Sequence, residues 1–404
     1  MTFMIVKARA AFCRGCAFLL VAAAAMTASC GAFADEPNGS ATPDDWKAKL
    51  FAGDERVALE EPANGAVVAI RPGVIAGYKS PEERGWDAPY NCSELKNGVK
   101  ECSHPTPVAF RWTFKEGASG FSTLQLSETP DFAAPIEISA GQETSAEATN
   151  LDTGATYFWR VKLTGGENAQ PVYSSARMFA TASDLPRWYK VPDISNVRDL
   201  GGWNAMNGKR VKKGMLFRGT ELDRNFSLTP ESKEFMTKTL GIRSDIDLRG
   251  ASEWGGAEDY GSPLGKEVAW LNYPIGCYEG IFNDKQKAYF RDIFKQLADE
   301  STYPAYIHCW GGADRTGTLC IMIKAILGVN DNDLCTDYEM TSFSVIGERC
   351  IQSDAFKKMR KELEAYGKEG DPFSVKFENY LISAGVTQDE LNKIRELLLE
   401  DKPE

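Results

Sequence analysis

The sequence predicts two domains, an all-β sandwich followed by an α/β domain built on a central, largely parallel sheet. Three observations carry that prediction. The chain has 404 residues, more than one hydrophobic core ordinarily serves. Short β-type runs separated by turn residues fill the region before about residue 182, and strands alternating with helical patterns fill the region after it. Between them, residues 182–192 read Ala-Ser-Asp-Leu-Pro-Arg-Trp-Tyr-Lys-Val-Pro, a short linker with two prolines. A composition 43% apolar and 25% charged belongs to a globular chain. The formal charge of −11 argues against nucleic acid or an anionic membrane as the main partner. It leaves room for a small phosphorylated ligand, which needs only local positive potential.

Residues 1–34 read as a signal peptide. Lys7, Arg9 and Arg14 precede or flank an apolar run from Ala17 to about Ala28, and Ala32-Phe33-Ala34 stands just before Asp35. Cleavage after Ala34 would export the chain to the periplasm or the medium; the alternative is a lipoprotein anchored at Cys30. The apolar run is shorter than the ~20 residues a membrane-spanning helix needs, and no later segment is long and apolar enough. Residues 35–55 are polar and read as a flexible lead-in. Of the ten cysteines, Cys13, Cys16 and Cys30 lie in the leader. The other seven are an odd count, which predicts a free thiol. Cys92 and Cys102, close together in a turn-rich stretch, are the expected disulfide pair.

Residues 56–183 carry the predicted sandwich. Its strands are Ala66–Ile70, Val108–Phe114, Ser122–Leu126, Pro135–Ile138, Tyr157–Lys162 and Ala176–Ala180. Within them Leu151-Asp-Thr-Gly-Ala-Thr-Tyr157-Phe-Trp159 resembles the late strands of a fibronectin type III domain. That resemblance makes Tyr157 a corner tyrosine and puts Trp112 and Trp159 in the core. A ligand for such a domain would be an unknown surface partner.

The second domain is predicted over 188–400. Ser244–Leu248 and Tyr303–His308 are strand candidates. Phe290, Ile293, Phe294 and Leu297 recur at helical spacing on one face. Thr318–Leu327 is apolar on nearly all sides, a buried central helix ended by Gly328, and Leu391, Ile394 and Leu398 mark an amphipathic C-terminal helix.

Chemistry concentrates at Ile307-His308-Cys309-Trp310-Gly311-Gly312-Ala313-Asp314-Arg315-Thr316-Gly317. A strand delivers Cys309 to a loop, and a helix starts at about Arg315. The intervening residues can wrap their N–H groups around one tetrahedral dianion. Gly311 and Gly312 allow the curvature, and Gly317 allows close helix packing. Trp310, Gly311, Gly312, Ala313 and Arg315 are therefore the expected substrate-binding residues. The same N–H groups favour a thiolate, making Cys309 the expected nucleophile. Arg315 offers a planar fork to two phosphate oxygens. Thr316 can donate its hydroxyl to the sulfur and ease its departure. His308 is expected to brace the loop by hydrogen bonding. With His104 it completes the chain's histidines, too few for Ser-His-Asp hydrolysis or a His-ligated metal site. No metal and no cofactor are expected.

The loop resembles that of bacterial tyrosine phosphatases, His-Cys-x-x-Gly-Lys-Asp-Arg-Thr-Gly. Asn196-Val-Arg198-Asp199-Leu-Gly201-Gly202, Leu216-Phe-Arg218, Gly241-Ile-Arg-Ser-Asp-Ile-Asp247-Leu-Arg249 and Asp337-Tyr338-Glu339 strengthen the match. The resemblance implies hydrolysis of phosphate monoesters through a phosphocysteine, with phosphotyrosine and in some members phosphoserine, phosphothreonine or phosphoinositides as substrates. It makes Asp314 the leading general acid and Asp247 the second candidate, with Arg249 in support. Ala313 stands where the family has Lys, which disfavours multiply charged inositol headgroups and favours phosphoproteins or simple monoesters. The competing class is a non-catalytic phosphate- or partner-binding protein.

Overall fold

The computed structural model describes residues 53–165 and 170–402, so the leader and most of the lead-in lie outside the described residues. The chain forms two compact units. Among the described residues, one contains 53–68 and 107–182, the other Ala69–Thr106 and Ser183–Asp401.

The first unit is built from two sheets. Strands β1 (Val57–Glu61), β3 (Val108–Phe114) and β6 (Ser145–Ala148) form one, in the order β1-β3-β6. The other runs β2 (Ala66–Val68), β9 (Arg177–Thr181), β7 (Thr156–Thr164), β4 (Phe121–Ser127), β5 (Ile136–Gly141), with β8 (Val172–Tyr173) paired to β7. Strict alternation explains the arrangement. Val108, Phe110 and Trp112 of β3 are buried while the residues between them are exposed, and in β7 buried Tyr157, Trp159, Val161 and Leu163 alternate with half-buried neighbours. Phe110 of the first sheet meets Trp159 at 5.1 Å and Phe179 at 5.6 Å, both edge-on, and so joins the two sheets in one core.

Residues 69–106 correct the expected domain boundary. They were expected inside the sandwich; instead they interrupt it and pack with the second unit. The cause is visible in their apolar side chains: Ile75, Tyr78, Cys92 and Cys102 share a buried cluster with Trp188, Met340 and Phe343. Cys92 and Cys102 are both free thiols, so the expected disulfide is not formed.

The sheet of the second unit contains β10 (Arg198–Asp199), β12 (Leu216–Gly219), β13 (Ser244–Asp247), β14 (Ala269–Asn272) and β15 (Ala305–His308), in the order β10-β12-β15-β13-β14. Only β10 is antiparallel to its neighbour; the other four strands are parallel. A separate ribbon pairs β11 (Lys209–Val211) with β16 (Leu399–Asp401). Six longer helices surround the sheet: α1 (Asp284–Leu297), α2 (Asp314–Ile326), α3 (Asp331–Met340), α4 (Asp354–Leu363), α5 (Phe373–Ser383) and α6 (Gln388–Leu398). In α1 the four residues expected on one face are all fully buried, each contributing about 1.5–3 kcal/mol of transfer free energy. Helix α2 is buried from Thr316 to Ile326, as its all-round apolar sequence predicts. The register sets Gly219 and Asp247 on either side of His308. Cys309 therefore leaves the middle of the sheet at the carboxyl ends of its parallel strands, where open α/β sheets bind ligands.

Candidate active site

Between β15 and α2 the chain makes one tight loop, and each loop carbonyl is taken from outside. His308 Nδ1 lies 3.2 Å from the Cys309 carbonyl, and the Trp310 carbonyl accepts from Glu221 N at 3.0 Å. Asn196 Nδ2 donates to the Gly311 and Gly312 carbonyls at 3.3 and 3.1 Å, Arg218 Nη2 donates to Gly312 at 2.6 Å, and Gly317 N closes on Ala313 at 2.8 Å. With the carbonyls held outward, the N–H groups of Trp310, Gly311, Gly312 and Ala313 have no partner among the described residues. Buried N–H groups are rarely orphaned in folded proteins. Ala313 is the N-cap of α2 and supplies no side-chain cap, so the first turn of that helix faces the same space. Together they form a nest for an anion. Gly312 is obligatory: its φ is +62°, and a Cβ there would lie 2.0 Å from the Gly219 carbonyl oxygen.

Cys309 sits at the base of the loop, 3% exposed and unpaired with any other cysteine. Arg315 Nη1 and Nη2 donate to the two oxygens of Glu253 at 2.6 and 2.7 Å, and Nη1 reaches the Leu248 carbonyl at 3.4 Å. Two of its five N–H groups, one on Nε and one on Nη2, stay uncommitted, a fork of the spacing that phosphate oxygens need. Burial alone would lower the Arg315 pKa, but Glu253 and the nearby Cys309 sulfur outweigh it and hold the guanidinium charged. Glu253 escaped the sequence reading, although it follows the Asp247-Leu-Arg249-Gly250 stretch by three residues. The short helix Ala251–Trp254 carries it back to Arg315.

His308 is fully buried, with Nε2 2.9 Å from Asp245 Oδ1, a contact outside hydrogen-bonding angles. Desolvation pushes its pKa down, but Asp245 and Asp247 outweigh that and raise it to about 9. The ring thus stands behind the loop, with two carboxylates that favour its charged form. A second buried set supports the other side. Asp337 receives Arg198 Nε at 2.8 Å, Lys324 Nζ at 2.8 Å and Arg218 Nη1 at 3.5 Å, all of them fully buried. Burial would raise the Asp337 pKa; the three cations outweigh it and hold it far below the usual carboxylate range. Asp199 staples the domain entrance by accepting the N–H groups of Gly201 at 2.8 Å and Gly214 at 2.7 Å.

Two expectations change. Thr316 Oγ1 is buried and makes no hydrogen bond, to the Cys309 sulfur or to any other described atom, because the first turn of α2 holds it within the core. Asp247 is fully buried and gives both oxygens to Arg249, at 3.0 Å from Nε and 2.9 Å from Nη2. Arg249 is itself filled by Glu221, Asp223 and Tyr260 at 2.8, 2.7 and 3.0 Å. Asp314, by contrast, is partly exposed at the loop's end. Its Oδ1 accepts from Tyr278 Oη at 2.5 Å and from Arg349 Nε at 2.7 Å, and its Oδ2 accepts from Arg349 Nη2 at 2.9 Å. Neither partner was predicted; both lie more than thirty residues away in sequence. Trp310, within the loop, is 46% exposed and meets the Phe226 ring edge-on at 6.2 Å. Among the described residues no group of three or more His, Cys, Asp or Glu side chains is disposed to hold a metal.

A cysteine at the carboxyl edge of a parallel sheet, an anion nest above it and a half-committed arginine beside it define the class of cysteine-dependent phosphatases. The model of the tyrosine phosphatase family matches residues 189–400, just over half of the chain, and the chain belongs to that family. A Cupriavidus necator protein provisionally named a tyrosine-protein phosphatase is 26% identical over 171 residues, covering 36% of this chain and 59% of that protein. The chain thus spans less than two thirds of that relative's length. A crystal structure of the core catalytic domain of a PP-IP phosphatase from S. cerevisiae, in complex with citrate, aligns at 13% identity with a TM-score of 0.26, over 38% of this chain and 82% of that one.

Proposed function

We propose that this protein hydrolyses phosphate monoesters through a phosphocysteine at Cys309. The observation that carries the reading is the loop in which every carbonyl from Cys309 to Ala313 is engaged outward while four N–H groups are left inward. In the first step the Cys309 thiolate attacks phosphorus, the ester P–O bond breaks, and the leaving oxygen takes a proton from Asp314. In the second, Asp314 removes a proton from water as its oxygen attacks the phosphocysteine, and the S–P bond breaks to give thiolate and phosphate. Arg315 and the loop N–H groups hold the equatorial oxygens throughout. Asp314 takes the acid role because it is partly exposed at the end of the loop, whereas Asp247 is fully buried.

Phosphotyrosine is the favoured substrate. Trp310 and Phe226 offer an aromatic rim for a phenyl ring, and Ala313 adds no cation that a polyphosphorylated headgroup would need. Two wider features belong to the same reading. The leader directs the chain out of the cytoplasm, and the first unit is a fibronectin type III-like sandwich. Supporting the latter, the Tyr157 hydroxyl accepts the Asp152 N–H at 2.9 Å, the contact of a corner tyrosine.

Turnover of para-nitrophenyl phosphate by the purified chain, set against Cys309→Ser, tests the proposal. Loss of all turnover in the variant supports it, and equal rates would reject it in favour of a phosphate-binding protein.

A further inference from the structure

We propose that residues 69–106, which lie outside the family match, act as a strap that positions Asp314 by way of Arg349. This rests on the reading of Asp314 as the acid. The loop between α3 and α4, residues 341–353, meets the anion nest twice. Ile346 packs on Gly311, where an added Cβ would lie 3.0 Å from its side chain, and Arg349 holds both oxygens of Asp314. That loop has no regular structure beyond a single turn at Thr341–Phe343, so its shape must come from its partners.

The strap supplies those partners along the whole length of the loop. At the start, Lys96 Nζ donates to the Ser342 and Ser344 carbonyls at 3.1 and 2.7 Å, and Cys102 N donates to the Phe343 carbonyl at 2.7 Å. In the middle, the Glu348 carboxylate accepts Cys92 N at 2.9 Å, Ser93 N at 2.8 Å and Ser93 Oγ at 2.5 Å. At the end, Glu339 accepts Tyr78 Oη at 2.7 Å, Arg84 Nη2 at 2.6 Å and the Ile351 N–H at 3.0 Å.

The path to the site is continuous. Lys96 fixes the backbone of Ser342, whose hydroxyl donates to the Arg349 carbonyl at 3.0 Å and accepts the Arg349 N–H at 2.9 Å. Arg349 Nη1 then bonds the Glu348 carbonyl at 2.8 Å, which leaves Nε and Nη2 aimed at Asp314. Burying an ammonium against two carbonyls, with no carboxylate bonded to it, is a costly way merely to fill space. It is an effective way to hold a loop. The acid is thereby held from two elements, by Arg349 on this loop and by Tyr278, whose hydroxyl also meets Tyr338 at 2.7 Å. Lys96 and Glu348 are positioning residues: they act through Arg349 and not on substrate.

An acid matters in proportion to the basicity of the leaving group, so the test compares kcat/KM, which reports the first step and not the hydrolysis of the phosphocysteine, for phenyl phosphate and for 2,4-dinitrophenyl phosphate, whose leaving anion needs no proton. The full chain is used throughout. Asp314→Asn should lose on the order of 100-fold or more on phenyl phosphate and little on the dinitrophenyl ester. Arg349→Ala should show the same split at about 10-fold, with Arg349→Lys recovering part of it. Lys96→Met and the pair Ser93→Ala with Glu348→Gln should each shift the ratio in the same direction by about threefold or more. A wild-type ratio in both strap variants, whatever their melting temperatures, overturns the strap. Should Lys96→Met fail to fold, the Ser93/Glu348 pair decides alone. Absence of a split in Asp314→Asn overturns the acid assignment beneath it, and turnover by Cys309→Ser at the wild-type rate overturns the phosphatase reading itself.

Discussion

Single residues decide whether the anion nest exists. Gly312 cannot carry a side chain without driving its Cβ into the Gly219 carbonyl, so Gly312→Ala should abolish phosphate binding while leaving the sheet intact. Isothermal titration with inorganic phosphate on Cys309→Ser, with and without Gly312→Ala, checks it. Glu253→Gln removes the charge that squares Arg315 to the loop and should lower kcat/KM by about 10–100-fold without loss of fold. His308 links the site to pH. Its pKa is raised from 6.5 to about 9 in the fold, so the stability it contributes is fully present below pH 6.5 and is lost as pH rises through 9. The shift corresponds to roughly 3 kcal/mol. Urea melts between pH 6 and 9.5 should show this decline, and His308→Gln should flatten it.

Elements succeed or fail by what they hold in register. Helix α2 reads in sequence as apolar on nearly all sides, and its Lys324 enters the core, where Asp337 of α3 meets it together with Arg198 and Arg218. Asp337→Asn would leave three buried cations without a counter-charge and should cost about 3–5 kcal/mol, read as a lower melting temperature. It should also loosen the Gly312 carbonyl that Arg218 holds. The contiguous parts were legible in sequence: the strand into Cys309, the glycines, the amphipathic face of α1 and the buried α2 each depend on neighbours within a few residues. Glu253, Tyr278 and Arg349 were not, because their meaning lies in contacts with positions 35–62 residues away. No local pattern announces that an arginine in an irregular loop will close on an aspartate at a helix start. Asp247 misled for the related reason that a strand-end carboxylate looks available until its arginine is seen.

At the scale of the molecule, sequence order and packing diverge. Residues 69–106 lie between sandwich strands in the chain, and local pattern therefore assigned them there. Their burial belongs with the second unit, which makes the phosphatase unit discontinuous. A chain beginning at residue 183 would uncover Met340 and Phe343 and strip Glu339 of Tyr78 and Arg84. Such a chain should be poorly soluble and melt well below the full protein by calorimetry, because a buried carboxylate would lose its counter-charge. Export and the sandwich's own partner are questions at this scale too, and N-terminal sequencing of the protein recovered from the producing cell's exterior would test the first.

The most direct test of the central claim is acid-quenched single turnover followed by peptide mass spectrometry. With a phosphotyrosine peptide as substrate, the account predicts one phosphoryl group on the peptide containing Cys309, accumulating further in Asp314→Asn with an activated aryl ester. Free phosphate released with no phosphoryl group ever on Cys309, or a phosphoryl group on another residue, would contradict it.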